Sequence, residues 1–490
     1  MPYKFAIIGF LFIVISCREA DINRFLLLDS RIIGFTENVS LVPGNVIKDP
    51  NNPLFVEEYW SDPPKIWEAR YDNLYPNVIY DEKDQLFKIW YKCFIRDAAS
   101  ESVPVKERLK HEYSTAGAGR KRGILYAWSE DGIIWIKPSL GLVEFMGSSE
   151  NNIVKLNFEG GVFKDKQESD PKRRYKMFGR IDRPERHMAV AFSEDGLVWS
   201  DPHPWPENNV QGDAHNNAIW SPGLNKYIGI TRTWKDRQRI AVRTESENFI
   251  NWTETEEILR GKGIHEQVYS MPIFHYANVY IGLPSILNED DTVDTELAWS
   301  PDTRNWYRIS PGSAFIPRGG NLSDYPCSDY DAGCIYASVP VIKNDEILIY
   351  YGGSNHYHTD WREGSLNLAR IRPDGFAGYI TANSDTGRIK TNLFDVAGSD
   401  FMISADIDQH GFLKVAVIDE AGIPVQGYTI EDSRVLTDNA TDAIVRWNGK
   451  SLSALKGEKV TFKLVFKDAI VYSLSGNFNF SVYQVNCHTR

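Results

Sequence analysis

The stretch AWSEDGIIW, residues 127–135, returns as AFSEDGLVW at residues 191–199. It returns again, more loosely, as RTESENFINW at 243–252 and AWSPDTRNW at 298–306. Each copy has a Ser, an Asp or Asn two residues later, and a Trp six residues after the Ser. The serines Ser129, Ser193, Ser246 and Ser300 are 64, 53 and 54 residues apart. Such a phrase fits a hairpin turn: the short polar side chains cap the turn and the Trp anchors it in a core. A fixed period of this length marks a repeat architecture.

Strand patterns lie between the turns. They include NVIYDEKDQLFKIWYK (77–92), YKMFGRI (175–181), AIWSPGLNKYIGITRTW (218–234), PIFHYANVYIGLPSI (272–286) and VPVIKNDEILIYYGG (339–353). A last unit, SLNLARIRPDGF (365–376), keeps a strand and an Asp-Gly turn but has no Trp. Helical periodicity is nearly absent. Units of four short strands at this spacing predict propeller blades. The expectation is an all-β chain with a five-bladed β-propeller over residues 50–384. From about 385 the texture changes to KVAVIDEAGIPVQGYTI and KVTFKLVFKDAIVYSLSG, alternating strands without the Ser-Asp-Trp phrase. Residues 385–490 are expected to form a β-sandwich that supports or binds.

The N-terminus carries a separate signal. Lys4 precedes an apolar run, residues 5–15, which is too short to span a bilayer and fits the core of a signal peptide. The run ends in Val14-Ile15-Ser16-Cys17, which resembles a bacterial lipobox. By that resemblance residues 1–16 are removed and Cys17 is lipidated. The protein is then anchored in the cell envelope of a Gram-negative bacterium, at the outer membrane or in the periplasm. Residues 17–49 read as a linker. Cys327 and Cys334, seven apart, could pair in an exported chain. Cys93 reads as a buried thiol, Cys487 is uninformative, and no cysteines have zinc-site spacing.

The chain has 490 residues and a net charge of −12, and no basic run, which argues against nucleic acid. It has 14 Trp, 24 Tyr and 24 Phe, rings that build β-rich cores and also stack on sugars. No Gly-rich strand-turn-helix suggests a nucleotide.

The turn phrase resembles the Asp-box of sialidases. Five blades with a trailing sandwich resemble the glycoside hydrolase family 32 and 43 superfamily. That resemblance implies a carbohydrate-active enzyme with carboxylates in the central channel, and it leaves room for calcium there, although no ligand cluster demands a metal or other cofactor. The motifs depart from it. The Trp-x-Asn-Asp-Pro-Asn-Gly, Arg-Asp-Pro and Glu-Cys-Pro signatures of family 32 are absent. Family 43 has Asp directly before Pro at the first inner strand, where this chain has Tyr75-Pro76 with Asp72 three residues earlier.

In a propeller the first strand of each blade lines the channel, so the starts of those strands nominate the site. The first blade offers Asp72, Tyr75 and Asn77. The second is unclear, with Lys164 and Asp165 nearest. The third offers Asp213, His215, Asn216 and Asn217, in the stretch GDAHNNAIW (212–220). The fourth offers His265, Glu266 and Tyr269, and the fifth Tyr330 and Asp331. Arg180, Arg232 and Arg318 should share the same rim, and His356, His358 and Trp361 follow the last blade's second strand. The competing reading is that each is a local turn former or strand cap.

Two chemistries fit. Glycoside hydrolysis needs a carboxylate pair ~5–10 Å apart, which Asp72, Asp213, Glu266 and Asp331 could supply. Elimination on a uronic acid needs a base for the C5 proton, a cation or amide on the carboxylate, and an acid for the leaving group. His215 or Tyr269 would be that base, Arg232 or Arg318 the carboxylate clamp and Tyr330 the acid. Glu266 and Asp213 would orient their neighbours, with Asn77, Arg180, Asn216, His265 and His356 binding substrate. The elimination set resembles the dehydratases and lyases that marine bacteria use on ulvan oligosaccharides. It is narrowly favoured, because non-carboxylate residues fill the hydrolase signature positions. An anionic oligosaccharide is the expected substrate, and a glycan-binding lipoprotein without catalysis is the third class.

Overall fold

The computed structural model describes residues 22–480 except 115–118, 183–186, 206–211, 214, 321, 323–328 and 344. Residues 1–21, with the expected signal peptide and Cys17, lie outside the described residues, as do Cys327 and Cys487. The rest is almost entirely β, with one short α-helix, Ala98–Ser102, among the described residues.

Two compact units form. The larger holds Leu26–Asp29 and Ser40–Ile380. Four of its sheets have four strands each, and consecutive sheets follow the chain in a propeller-like order. The first runs Asn77–Asp81, Leu86–Arg96, Lys121–Ser129 and Ile153–Leu156. The second runs Phe158–Lys164, Tyr175–Ile181, Met188–Ser193 and His203–Pro204. The third runs Asn217–Ser221, Lys226–Lys235, Gln238–Ser246 and Glu256–Arg260. The fourth is Ile273–Tyr276, Val279–Gly282, Leu297–Ser300 and Tyr307–Ile309.

The repeated phrase closes the hairpin between third and fourth strands. Each of its serines ends a third strand: Ser129, Ser193, Ser246 and Ser300. In the first copy the Asp131 carboxylate accepts the backbone N–H of Ile133 and of Ile134, both at 2.8 Å, and Ser129 Oγ accepts Gly132 N–H at 2.9 Å. Asp195, Asn248 and Asp302 repeat the cradle. The side chain satisfies backbone donors that a tight turn leaves without strand partners. Trp199, Trp252 and Trp306 fold back so that the indole N–H meets the carbonyl of Gly196, Phe249 and Thr303.

The expected fifth blade is not a separate four-stranded sheet. Its strands Val341–Lys343, Glu346–Ser354 and Gly364–Ile371 belong to a nine-stranded sheet that also takes in Glu266–Ser270, Ser285–Asn288, Val293–Thr295 and Cys334–Ala337. Pro272, Pro284 and Pro340 sit where the longer strands break. A proline has no N–H for a ladder, so the inner halves turn away and pair elsewhere. Nor is 17–49 a linker. Ile47–Lys48 pairs with the edge of Gly364–Ile371, Ala369 opposite Lys48, so an early segment completes the last sheet.

The smaller unit holds Ser30–Val39 and the chain from Thr381. Ile33–Glu37 pairs with Gly387–Thr391 there, again within the expected linker. Two long strands, Phe394–Asp419 and Lys459–Phe480, run through its sheet, with Phe401 opposite Gly476 and Val417 opposite Phe462. Phe394, Phe401, Phe462 and Phe478 pack against one another, with Phe401 and Phe462 centroids 4.5 Å apart.

Candidate functional site

Inner ends of the larger unit's strands surround a cavity of about 490 Å³. Its walls carry Arg70, Lys92, Arg120, Arg122, Arg232 and Arg362, together with the carboxylates Asp72, Glu159 and Asp213. Tyr113, Tyr269 and His358 also line it. Six cations against three anions make the cavity positive inside a chain of net charge −12.

Local backbone geometry presents the acids. Asp72 precedes the first sheet in a turn where Asp72, Leu74 and Tyr75 have φ of 59°, 59° and 43°. Left-handed φ at non-glycine residues costs of order 1 kcal/mol or more each and persists only when the surroundings enforce it. Here Lys92 N–H binds Leu74 O at 2.8 Å and Leu74 N–H binds Tyr71 O at 2.9 Å. Glu159 is the second residue of the second sheet's first strand, and Asp213 precedes the third sheet.

Each carboxylate is held by cations. Asp72 meets Arg362 Nη2 at 2.7 Å and Lys92 Nζ at 3.6 Å. Glu159 meets Lys92 Nζ at 3.3 Å, Arg122 Nε at 3.1 Å, and Arg180. Asp213 meets Arg232 Nη2 at 2.5 Å and Arg180 Nη1 at 3.4 Å. Burial pushes the Asp72 carboxyl up, but Arg362, Lys92, Arg70 and Arg120 outweigh it and hold it well below the carboxylate range. Burial likewise opposes the fall at Glu159, yet Lys92, Arg122 and Arg180 bring it down to about 2. Both are therefore ionised at neutral pH.

His358, in the aromatic wall, stays uncharged. Burial, then Arg362, pushes His358 well below the usual imidazole range. Its Nδ1 is 3.1 Å from Tyr336 Oη, and its ring meets Tyr269 edge to face at 4.7 Å. The Arg232 guanidinium lies 4.0 Å over the Tyr269 ring and donates to Tyr269 O at 3.0 Å.

Of the residues nominated from sequence, the fold brings Asp72, Asp213, Arg232, Tyr269 and His358 into the cavity, with Arg180 between two of its acids. Others stand elsewhere for identifiable reasons. His215, at φ 56°, stacks on Tyr75 at 4.5 Å, and its Nδ1 is 3.1 Å from Ser270 Oγ. Burial, then Lys92 and Arg232, lowers its pKa to about 3, so it is neutral and a weak base. Asn77 and Asn217 join neighbouring sheets, accepting Val162 N–H at 3.2 Å and Ile273 N–H at 3.0 Å. Asn216 caps its own turn through Asp213 O at 2.7 Å.

Glu266 pairs with Arg308 at 2.5 Å, and the exposed His265 with Glu289 at 2.8 Å. Asp331 is buried against Lys48 at 2.6 Å and Tyr351 Oη at 2.8 Å, and Tyr330 packs on the core nearby. Arg318 binds Asp294 at 2.7 Å. His356 lies beside Asp360 and Tyr357, and with Trp361 it lines a separate cavity. Lys164 and Asp165 sit at the far end of their strand, paired with Asp81 at 2.7 Å and Lys176 at 3.0 Å. The residue that the second sheet contributes is Glu159.

Arg70, Lys92, Tyr113, Arg120, Arg122, Glu159 and Arg362 escaped the sequence reading. Lys92 closes a quoted strand pattern and Glu159 precedes Gly160-Gly161, but neither pattern says which strand end faces the channel. A calcium ion does not fit this lining, because all three acids are ion-paired. Among the described residues no group of three or more His, Cys, Asp or Glu could hold a metal. Cys334 is a buried free thiol, as is Cys93.

No protein-family model and no curated protein matches the chain. Solved structures do resemble it. An N-acetylgalactosamine deacetylase from F. plautii in complex with blood group B trisaccharide is 13% identical, over 69% of this chain and 96% of that one, at a TM-score of 0.43. The β-1,2-mannobiose phosphorylase from Listeria innocua, with β-1,2-mannobiose, is 13% identical over 67% and 97%, at 0.47. A glycosyl hydrolase from Bacteroides ovatus is 15% identical over 68% and 94%, at 0.43. At these identities the chemistry of those proteins does not transfer to this chain.

Proposed function

We propose that the cation-rich cavity is the active site of a carbohydrate-active enzyme that cleaves an oligosaccharide by hydrolysis. The observation that carries this reading is the convergence of Asp72, Glu159 and Asp213, from three consecutive sheets, on one cavity. Lys92 stands beside both Asp72 and Glu159, at 3.6 and 3.3 Å, so the two acids share a single ammonium and their facing oxygens are no more than about 7 Å apart, below the ~10 Å upper limit that glycoside hydrolysis uses. Asp72, held ionised, takes the base or nucleophile role. Asp213, which lines the same cavity, takes the general-acid role and gives a proton to the departing sugar oxygen, while Asp72 accepts one from the attacking water.

A second reading has its own support. Asp72 and Glu159 are too acidic to donate a proton at neutral pH. Tyr269, with Arg232 over its ring, offers a hydroxyl instead, next to neutral His358. That set suits β-elimination on a terminal uronic acid, either dehydration or lyase cleavage of ulvan-type oligosaccharides. A base removes the C5 proton, the electron pair forms the C4–C5 double bond, and the C4 oxygen leaves with a proton. His215 does not line the cavity, so neutral His358 takes the C5 proton and the Tyr269 hydroxyl gives its proton to the departing C4 oxygen.

The deciding experiment is mass spectrometry of uronate-containing algal oligosaccharides incubated with the protein. Shorter chains that have gained water support hydrolysis. Loss of one water with new ultraviolet absorbance and no shortening supports dehydration, and absorbance with shortening supports a lyase. No change of mass overturns both readings and leaves a glycan-binding protein. The proposal extends to a lipid anchor at Cys17 in a Gram-negative envelope, supported by the sequence of residues 4–17. Palmitate labelling that survives Cys17→Ser would overturn it.

A further inference from the structure

One wall of the cavity holds donors that the protein does not use. Arg70 is 1% exposed, yet its Nε and Nη1 have no hydrogen-bond partner. Its Nη2 donates to Asp360 O at 3.1 Å, and its closest carboxylate oxygen is Asp72 Oδ1, 3.8 Å from Nε. Asp72 spends its hydrogen-bonding reach on Arg362 at 2.7 Å. The guanidinium of Arg70 lies 4.2 Å over the Tyr113 ring, and the Tyr113 hydroxyl is itself buried without a partner. Arg120 stands 5.6 Å from the same ring, its Nε engaged by Asp97 at 2.9 Å.

Orphaned donors are rare and costly in a folded protein, at about 1–3 kcal/mol each and more when charged. Three on one cavity wall, from two adjacent side chains, point to a ligand that completes them. The ligand's charge follows from the surroundings. Burial, then Arg362, lowers the pKa of Arg70 to about 10, with Asp72 and Asp97 only partly offsetting it. The cavity lining carries six cations against three carboxylates, so a neutral hydroxyl would leave Arg70 under-compensated and an oxyanion would not.

We propose that Arg70 and Tyr113, with Arg120 behind them, form an oxyanion subsite that takes the carboxylate or sulfate substituent of a sugar unit bound in the cavity. Nε–H and Nη1–H leave the planar guanidinium on different edges, so each suits one oxygen, and the Tyr113 hydroxyl supplies a further bond. The inference rests on the carbohydrate reading for the word sugar, but the anion requirement comes from the orphaned donors alone. It makes Arg70 a specificity residue for acidic over neutral glycans.

The test is isothermal titration calorimetry of the full chain with glucuronate, inorganic sulfate, glucose 6-sulfate and glucose. The variants are Arg70→Met and, since a buried arginine can be needed for folding, Tyr113→Phe, which removes only the unpartnered hydroxyl. Glucuronate or the sulfated sugar should bind and glucose should not. Affinity should fall about tenfold or more in Arg70→Met and a few-fold in Tyr113→Phe, the losses expected for a charged and a neutral hydrogen bond. Glucuronate without sulfate assigns the subsite to a carboxylate, and the reverse assigns it to a sulfate ester. No anion binding, or binding unchanged in both variants, overturns the subsite.

Turnover separates the two proposals. Anion binding that depends on Arg70, with no oligosaccharide altered, sinks the enzyme reading and keeps the subsite. Turnover of carboxyl-reduced oligosaccharide as fast as the native one, indifferent to Arg70→Met, keeps the enzyme and sinks the subsite.

Discussion

Lys92 is the most exacting residue to perturb. It is buried, and its single ammonium serves two acids, Asp72 at 3.6 Å and Glu159 at 3.3 Å. Lys92→Met keeps most of the stem and deletes the charge. Against its burial, Glu159 is lowered from 4.5 to about 2, and Lys92 is the largest of the lowering causes. At about 1.4 kcal/mol per pKa unit, that displacement is worth about 3 kcal/mol of stability at neutral pH. Lys92 supplies the largest part of it, and Asp72 adds a loss of the same sign. The variant should therefore be less stable by about 3 kcal/mol near neutrality, at the lower end of the cost of breaking a buried pair. The folded pKa lies below the unfolded one, so this stability is complete above pH 4.5 and drains away as pH falls from 4.5 towards 2. The gap between wild type and variant should narrow over that window. Urea unfolding followed by tryptophan fluorescence, at about pH 7 and about pH 3.5, reads it directly. A gap of equal size at both pH values would show lost packing rather than lost charge. No gap at neutral pH would show that Lys92 is not the cation that holds the acids.

Three further outcomes are expected. Asp72→Asn and Asp213→Asn should each lower turnover by about 10²–10⁴-fold with the fold retained, whereas His265→Ala should leave it unchanged, since His265 is exposed and pairs with Glu289 away from the cavity; product formation by mass spectrometry checks this. Gly196→Ala should destabilise far more than Gly422→Ala, because both have left-handed φ, of 81° and 84°, but only at Gly196 would a new Cβ meet a neighbour, Trp90 Cζ2 at 2.5 Å; the difference in melting temperature measures it. Cys93 and Cys334 should resist thiol reagents until denaturant is added, because burial removes access and pushes both thiols up, and peptide mapping of the labelled sites would expose any failure.

The sequence alone determined the hairpin turns and the all-β class. The Ser, Asp and Trp of each phrase act within three residues of one another in hydrogen bonding, through the Asp131 cradle and the Trp199 fold-back, so their spacing survives as a readable pattern. It also nominated Asp72, Asp213, Arg232, Tyr269 and His358, which lie at strand starts or in the loop after a strand. The merging of the expected fifth blade into a nine-stranded sheet was not legible, because Ile47–Lys48 reaches Gly364–Ile371 across more than three hundred residues. Nor was the charge logic of the cavity. Lys92 and Glu159 are 67 residues apart, and Asp72 and Arg362 are 290 apart. A Coulomb pair leaves no periodicity in the chain; it depends on a separation of a few ångströms that only the closing of the sheets sets. For the same reason, that Arg70 is buried beside Tyr113 with donors to spare follows from packing alone.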